Sequence, residues 1–187
     1  MALKYLIAGL GNIGEEYTNS RHNIGFLVLN ALAEISGIEF KPGRHAFISE
    51  YKFKGRAFVL IKPTTYVNLS GKAVNYWLQK EKIPIENLLV IVDDIALPFG
   101  VLRMRAKGGD GGHNGLKNIN EALGTTNYAR LRFGTGSEFP KGRQVDYVLG
   151  EWTKNEQEEL PAKIEHAIDM IKSFATVGVQ KTMADFN

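Results

Sequence analysis

A short, almost wholly apolar run that ends in two acids constrains the fold more than any other feature of the sequence. Residues 87–94 read NLLVIVDD, with five consecutive aliphatic side chains. A run of this kind is typical of a strand that is buried on both faces, because it has no polar face to turn towards solvent. Such a strand needs helices on both sides of its sheet, so we expect an α/β fold.

Strand and helix patterns alternate along the rest of the chain. A hairpin turn at 53–55 joins two of the strands and therefore predicts a twisted, mixed, mostly parallel sheet flanked by helices. We expect a last helix to begin at Pro161, since proline suits the first helical position. The other predicted elements are strands at 3–9, 45–52, 56–62, 87–94 and 129–136, and helices at about 23–36, 70–81 and 114–123.

Length and composition suit one domain that spans residues 1–187. The chain is 44% apolar, enough for a substantial core, and no linker or repeat divides it. We predict no signal peptide, and no run approaches the roughly 18 apolar residues of a membrane span. Because there is no cysteine, disulfides and thiolate metal sites are excluded, and a reducing cytoplasm fits.

The first glycine-rich stretch has the G-x-G-x-x-G spacing of a dinucleotide-binding loop, with glycines at 9, 11 and 14. In a dinucleotide site the helix opens inside the motif, so that its amides meet the pyrophosphate. Here a polar stretch at 15–20 follows, and its two glutamates would repel a diphosphate. We interpret the glycines as a tight turn that presents Asn12, and a nucleotide-dependent oxidoreductase remains a minor alternative.

Polar side chains follow several of the predicted strands or open the neighbouring helices. Sites of open α/β sheets gather at the carboxyl ends of strands, so we expect these side chains to share a site. They are Asn12, His22, Asn68, Asp93, Asp94, His113 and Asn114.

Common catalytic motifs are missing from the sequence. There is no G-x-S-x-G elbow, and we interpret Ser70 as a helix cap. The four histidines never stand four residues apart, which argues against a zinc site. The loop at 108–112 lacks the ending of a P-loop, and is either a set of anion-binding amides or a plain flexible loop.

One histidine base, an acid to orient it and several asparagines remain. A helix amino terminus disfavours the imidazolium form of His22, whereas a neighbouring Asp93 would favour it. Asparagine amides can hold a water and bind a carbonyl oxygen without titrating. These residues suffice for hydrolysis of an activated ester. They do not readily account for amide hydrolysis, because the poorer leaving group of an amide usually demands a nucleophile or a metal.

Basic residues concentrate between Val101 and Arg143. Eight lysines and arginines lie there against three acids, although the net charge of the whole chain is only +3. This clustering suits a phosphate-rich partner, and a solvated basic face without a partner is equally compatible with it.

Four motifs in this order resemble bacterial-type peptidyl-tRNA hydrolases along essentially the whole chain. They are GLGNIGEEYTNSRHNIG, KPTTYVNLSGKAV, VDDIALPFG and GGDGGHNGLKNI. The resemblance implies a monomeric, cytoplasmic enzyme that needs no metal or cofactor. Its substrate would be peptidyl-tRNA, cleaved at the ester that joins the peptide to the terminal ribose. A splicing-factor-like protein that binds RNA without hydrolysis is the alternative.

The resemblance also implies roles for individual residues. His22 would be the base that activates water, oriented by Asp93, with Asn12 as a third catalytic residue. The implied substrate contacts are Tyr17, Tyr66, Asn68, His113 and Asn114, and the implied tRNA contacts are Arg105 and Arg132.

Some of these assignments keep an alternative, and two positions depart from the family pattern. Asn68 could instead cap the helix at 70–81, and Asp94 could be the orienting acid. Val67 stands where a methionine is common, which excludes a sulfur contact. Ala96 stands where an acid is expected, which puts a second carboxylate role there in doubt.

Overall fold

The computed structural model of the protein describes residues 3–187 and joins seven strands of that range in one sheet. The strands are β1 (Leu3–Gly9), β2 (Lys41–Gly43), β3 (Ala46–Phe53), β4 (Arg56–Pro63), β5 (Leu88–Asp94), β6 (Leu102–Arg105) and β7 (Ala129–Gly134). The helices are α1 (Ile24–Ser36), α2 (Ser70–Lys80), α3 (Asn114–Leu123), α4 (Gln144–Leu149), α5 (Lys154–Val177) and α6 (Val179–Phe186).

The strand order is β2-β3-β4-β1-β5-β7-β6. The four central strands, β4, β1, β5 and β7, run parallel, whereas β2, β3 and β6 pair antiparallel at the two edges. The predicted mixed sheet flanked by helices is therefore confirmed. Because the central strands are parallel, their carboxyl ends lie at one edge of the sheet, as the clustering of polar residues requires.

Strand β5 is buried on both faces, as its sequence predicts. Leu89 and Ile91 join the core that α1 and α5 cover, and Val90 and Val92 join the core that α2 and α3 cover. The side chains alternate between two apolar layers, so every residue from 88 to 93 is removed from solvent. This burial holds the carboxyl end of β5, and with it Asp93, in a fixed position.

A close backbone contact brings the start of α1 against the end of β1. A Cβ atom added to Gly9 would lie 2.3 Å from the carbonyl oxygen of Gly25, and one added to Gly25 would lie 2.3 Å from the backbone nitrogen of Leu10. Neither position can therefore carry a side chain at this separation. The contact places the 3-10 turn that precedes α1, Arg21–Asn23, beside the loop that follows β1.

The carboxyl-terminal region corrects one prediction. Helix α5 begins at Lys154 and not at Pro161, because Thr153 caps it and exchanges capping-box hydrogen bonds with Glu156. Pro161 lies inside the helix, and the last helix is α6. The apolar stripe of α5 is present, with Ile168 and Ile171 in the core.

Four elements have no counterpart among the predictions, namely β2, β6, α4 and α6. Each is short, and three of them lie at an edge of the sheet or beside one. Within residues 3–187, no helix combines the length and the hydrophobicity that a membrane crossing requires.

Candidate active site

A cleft of about 350 Å³ opens at the carboxyl edge of the central strands. Eight of the ten predicted site residues line it: Asn12, His22, Tyr66, Asn68, Asp93, His113, Asn114 and Arg132. They come from segments that are far apart in sequence, and the parallel arrangement of β4, β1, β5 and β7 collects them.

The floor of the cleft holds a carboxylate between two imidazoles. Nδ1 of His22 lies 2.9 Å and 2.8 Å from the two carboxylate oxygens of Asp93, and Nε2 of His113 lies 2.9 Å from Oδ1 of the same group. Asp93 is only 5% exposed. The structure therefore places Asp93, and not Asp94, against His22.

The other nitrogen of His113 fixes its tautomer. His113 is the amino-terminal cap of α3, and its Nδ1 accepts hydrogen bonds from the backbone N–H groups of Gly115 and Leu116. A nitrogen that accepts from two donors carries no proton, so the proton of neutral His113 is on Nε2 and is donated to Asp93.

His22 has the opposite arrangement. Its Nδ1 donates to Asp93, which leaves Nε2 without a proton in the neutral ring. The side chain is 16% exposed and lines the cleft. An unprotonated imidazole nitrogen is therefore available to a molecule in the cleft.

Charge and burial act in opposite directions on this pair. Burial lowers the pKa of His22, but the charge of Asp93 and the hydrogen bond to it outweigh burial and raise that pKa above 6.5. Burial alone would raise the pKa of Asp93, yet His22 and His113 together hold it well below its usual range. Asp93 therefore stays ionised, and the helix-terminus effect expected at His22 is not the dominant one.

A network of backbone bonds orients the amide of Asn12. Oδ1 of Asn12 accepts from the backbone N–H of Val67 at 2.8 Å, so its NH₂ group is the part left for the cleft. Asn23 holds the same residue by two 2.8 Å bonds, one from the Asn12 N–H and one to its carbonyl. The sequence did not identify this supporting role of Asn23.

The structure contradicts two alternatives, Asp94 as the orienting acid and Asn68 as a helix cap, and it contradicts the prediction that Ser70 caps α2. Asp94 accepts from the Ala96 N–H and pairs with Arg132 at 3.6 Å. Asn68 is exposed at the rim of the cleft, and the cap position of α2 belongs to Leu69, with no side-chain capping bond. Ser70 does not cap α2 either, because its hydroxyl donates to the Val67 carbonyl.

Two of the ten predicted site residues do not line the cleft. Tyr17 is half-buried in a 3-10 turn, Glu15–Tyr17, and does not line the cavity. Arg105 is exposed at the end of β6, on the edge of the sheet.

The basic segment divides into surface and buried arginines. Arg103 pairs in register with Arg132, and Arg105 with Arg130, so the four side chains share one face of the sheet. Arg130 is fully buried, and its guanidinium donates to the carbonyls of Gly109 and Thr126. Arg130 thus anchors the glycine loop, residues 108–112, and contributes nothing to the outer surface.

Helix α4 forms an apolar wall that the sequence analysis missed. Val145, Val148 and Leu149 line the cleft, and Val145 is 66% exposed. Their i, i+3, i+4 spacing is a helical signal, although six residues are too few for it to stand out.

The sequence model of the family described as peptidyl-tRNA hydrolase matches residues 6–187 of this chain. The chain belongs to the peptidyl-tRNA hydrolase family. A peptidyl-tRNA hydrolase from Porphyromonas gingivalis is 57% identical over 99% of this chain and 100% of its own length. One from Cytophaga hutchinsonii is 58% identical over 99% and 98% of the two chains.

Solved structures of the peptidyl-tRNA hydrolase family have the same fold. The crystal structure of the peptidyl-tRNA hydrolase from Acinetobacter baumannii is 35% identical and superimposes with a TM-score of 0.92. The match covers 100% of this chain and 96% of that one.

The His22–Asp93–His113 group is also the cluster among residues 3–187 that comes nearest to a metal site. Its nitrogen and oxygen atoms are 2.8–2.9 Å apart, which is hydrogen-bond distance. Ligands around a tetrahedral zinc ion lie about 3.4 Å apart, from metal–ligand bonds of about 2.1 Å. The group is thus arranged for proton sharing, and a metal would have to separate its members.

Replacing Asp93 by asparagine should lower the pKa of His22. We expect the wild-type imidazole to titrate above 6.5 in an NMR pH titration, and the Asp93→Asn variant to titrate lower, because burial then acts without the opposing charge. Asp94→Asn is the matched control and should leave the titration almost unchanged. An unaltered His22 pKa in Asp93→Asn would contradict the assigned electrostatics.

Proposed function

We propose that this protein hydrolyses the ester between a peptide and the 3′-terminal ribose of tRNA, with His22 as the general base. The observation that carries the proposal is the placement of His22, whose Nδ1 is bound to the buried Asp93 carboxylate while its ring lines the cleft, which leaves Nε2 for a molecule there. Membership of the peptidyl-tRNA hydrolase family supports the substrate class.

In the first step, Nε2 of His22 takes a proton from water as the water oxygen attacks the ester carbonyl. The ring becomes an imidazolium whose Nδ1–H still points at Asp93. Because the carboxylate is buried and ionised, it stabilises this cation at short range. The oriented pair thereby lowers the free energy of the transition state.

The negative charge that develops on the carbonyl oxygen needs hydrogen-bond donors. The NH₂ group of Asn12 is held towards the cleft by the Val67 and Asn23 contacts, and such a fixed donor loses no entropy when the charge appears. Asn68 and Asn114 add further amides at the rim. Collapse of the intermediate then breaks the bond to the ribose oxygen, which takes the proton from the His22 imidazolium.

His113 supports the acid rather than acting as a second base. Both ring nitrogens are engaged, one with Asp93 and the other with the amino terminus of α3. It therefore keeps the carboxylate ionised and in place, while the exposed Asn114 beside it is free to contact substrate.

We assign the tRNA to the outer face of β6 and β7. Arg103, Arg105 and Arg132 project from the same side of these strands, and Arg132 also lines the cleft. Positive charge in a row suits the phosphates of an acceptor stem. We further propose that the protein acts as a monomer in the cytoplasm.

His22→Ala should abolish most turnover on N-acetyl-aminoacyl-tRNA. Loss of a positioned base costs about 10²–10³-fold in kcat, and the tRNA should still bind with nearly wild-type affinity. His166→Ala, which removes a histidine of α5 whose ring packs at a tilt against Phe186 of α6, is the matched control and should leave the rate unchanged. A wild-type protein that binds this tRNA without releasing the acyl group would instead indicate the non-catalytic RNA-binding alternative.

Replacing Arg105 and Arg132 together by alanine should raise KM and flatten its dependence on salt. Each phosphate contact that is lost removes about 0.7–0.9 units from the slope of log affinity against log salt concentration. Lys52→Ala and Lys54→Ala, in β3 and the turn that follows it near the other end of the strand order, serve as the matched control pair. If the double arginine variant kept the wild-type slope, the RNA surface would have to lie elsewhere.

A further inference from the structure

The residue before the proposed base is a buried arginine that reaches the wall of the cleft. Arg21 is 6% exposed and lies in the same 3-10 turn as His22. It takes no part in the hydrolysis described above, because its side chain points towards α4 and the start of α5 rather than lining the cleft.

Arg21 binds the segment around α4 at three points. Its backbone N–H donates to the Gly150 carbonyl at 3.0 Å, and its Nη1 donates to the Tyr147 carbonyl at 3.1 Å. Its Nη2 lies 3.3 Å from Oε1 of Glu156, and this ion pair is largely shielded from solvent. Ser20 and Glu151 add an antiparallel bridge beside these contacts.

Aromatic side chains also pack against Arg21 where its turn meets α4. The guanidinium lies 4.0 Å from the ring centre of Tyr147, and the Tyr147 hydroxyl donates to the Thr135 carbonyl at 2.6 Å. The ring centre of Trp152 lies 5.8 Å from the same guanidinium. A planar cation can stack and donate in several directions at once, which a lysine ammonium cannot do.

We infer that Arg21 is a positioning residue that sets the distance between the apolar wall of α4 and the His22 turn, and thereby the fit of the substrate. The inference rests on the proposed hydrolysis. Tyr147 belongs to the same six-residue helix as Val145, Val148 and Leu149, so a shift of α4 relative to Arg21 moves the whole wall.

A purely structural arginine elsewhere in the chain provides the comparison. Arg56 also joins two elements through carbonyls, with donations from Nε to Ala175 and from Nη2 to Thr176. It stands at the first residue of β4, at the opposite end of the strand from the cleft. Loss of Arg56 should therefore cost stability without altering the substrate site.

The test compares Arg21→Lys with Arg56→Lys on N-acetyl-aminoacyl-tRNA. We expect Arg21→Lys to raise KM about five- to tenfold with kcat within about twofold of wild type, because a displaced wall weakens substrate fit while His22 and Asp93 stay paired. The acid limb of the pH profile should not move. Arg56→Lys should lower the melting temperature and leave KM unchanged.

Glu156→Gln serves as a milder second variant, in case Arg21→Lys does not fold. Glutamine preserves the capping box with Thr153 but removes the charge that holds Nη2 of Arg21, so KM should rise in the same direction by about twofold. The inference is overturned if the Arg21 and Glu156 variants lose kcat at constant KM, shift the pH profile, or match Arg56→Lys. A wild-type protein without hydrolytic activity would overturn the proposed function instead.

Discussion

A single buried carboxylate bonded by two imidazoles organises this molecule's chemistry. An ionised Asp93 in the interior would be very unfavourable alone, and the N–H groups of His22 and His113 compensate for the lost hydration. The same two bonds decide which nitrogen of each ring carries a proton. Removing either imidazole would leave the carboxylate partly unpaired, so the three side chains act as one unit and not as separable contributions.

The fold supplies this unit with rigid supports from three directions. Strand β5 is buried on both faces and fixes Asp93, the amino terminus of α3 fixes His113, and the close approach of Gly9 to Gly25 brings the His22 turn beside Asn12. Backbone groups, rather than long flexible side chains, make most of the orienting contacts. Such a site is preorganised, because little has to move when charge develops during the reaction.

Much of the fold and of the site could be predicted from local sequence patterns, and each prediction that failed did so for a physical reason. The apolar run at 88–94 and the polar residues at strand ends depend only on local sequence, and the sheet places them as expected. The prediction that the helix begins at Pro161 failed because the capping box of Thr153 and Glu156 starts the helix seven residues earlier, at Lys154. The contacts of Arg130 with the glycine loop and of Arg21 with α4 join distant segments, so no periodicity in the sequence reveals them.

The most direct test of the central claim is a ¹⁵N NMR spectrum of histidine-labelled protein at a pH where both imidazoles are neutral. The account predicts that His22 carries its proton on Nδ1 and presents a bare Nε2 to the cleft, whereas His113 carries its proton on Nε2. A spectrum with the His22 proton on Nε2 would contradict the account, because that nitrogen could then not accept a proton from water.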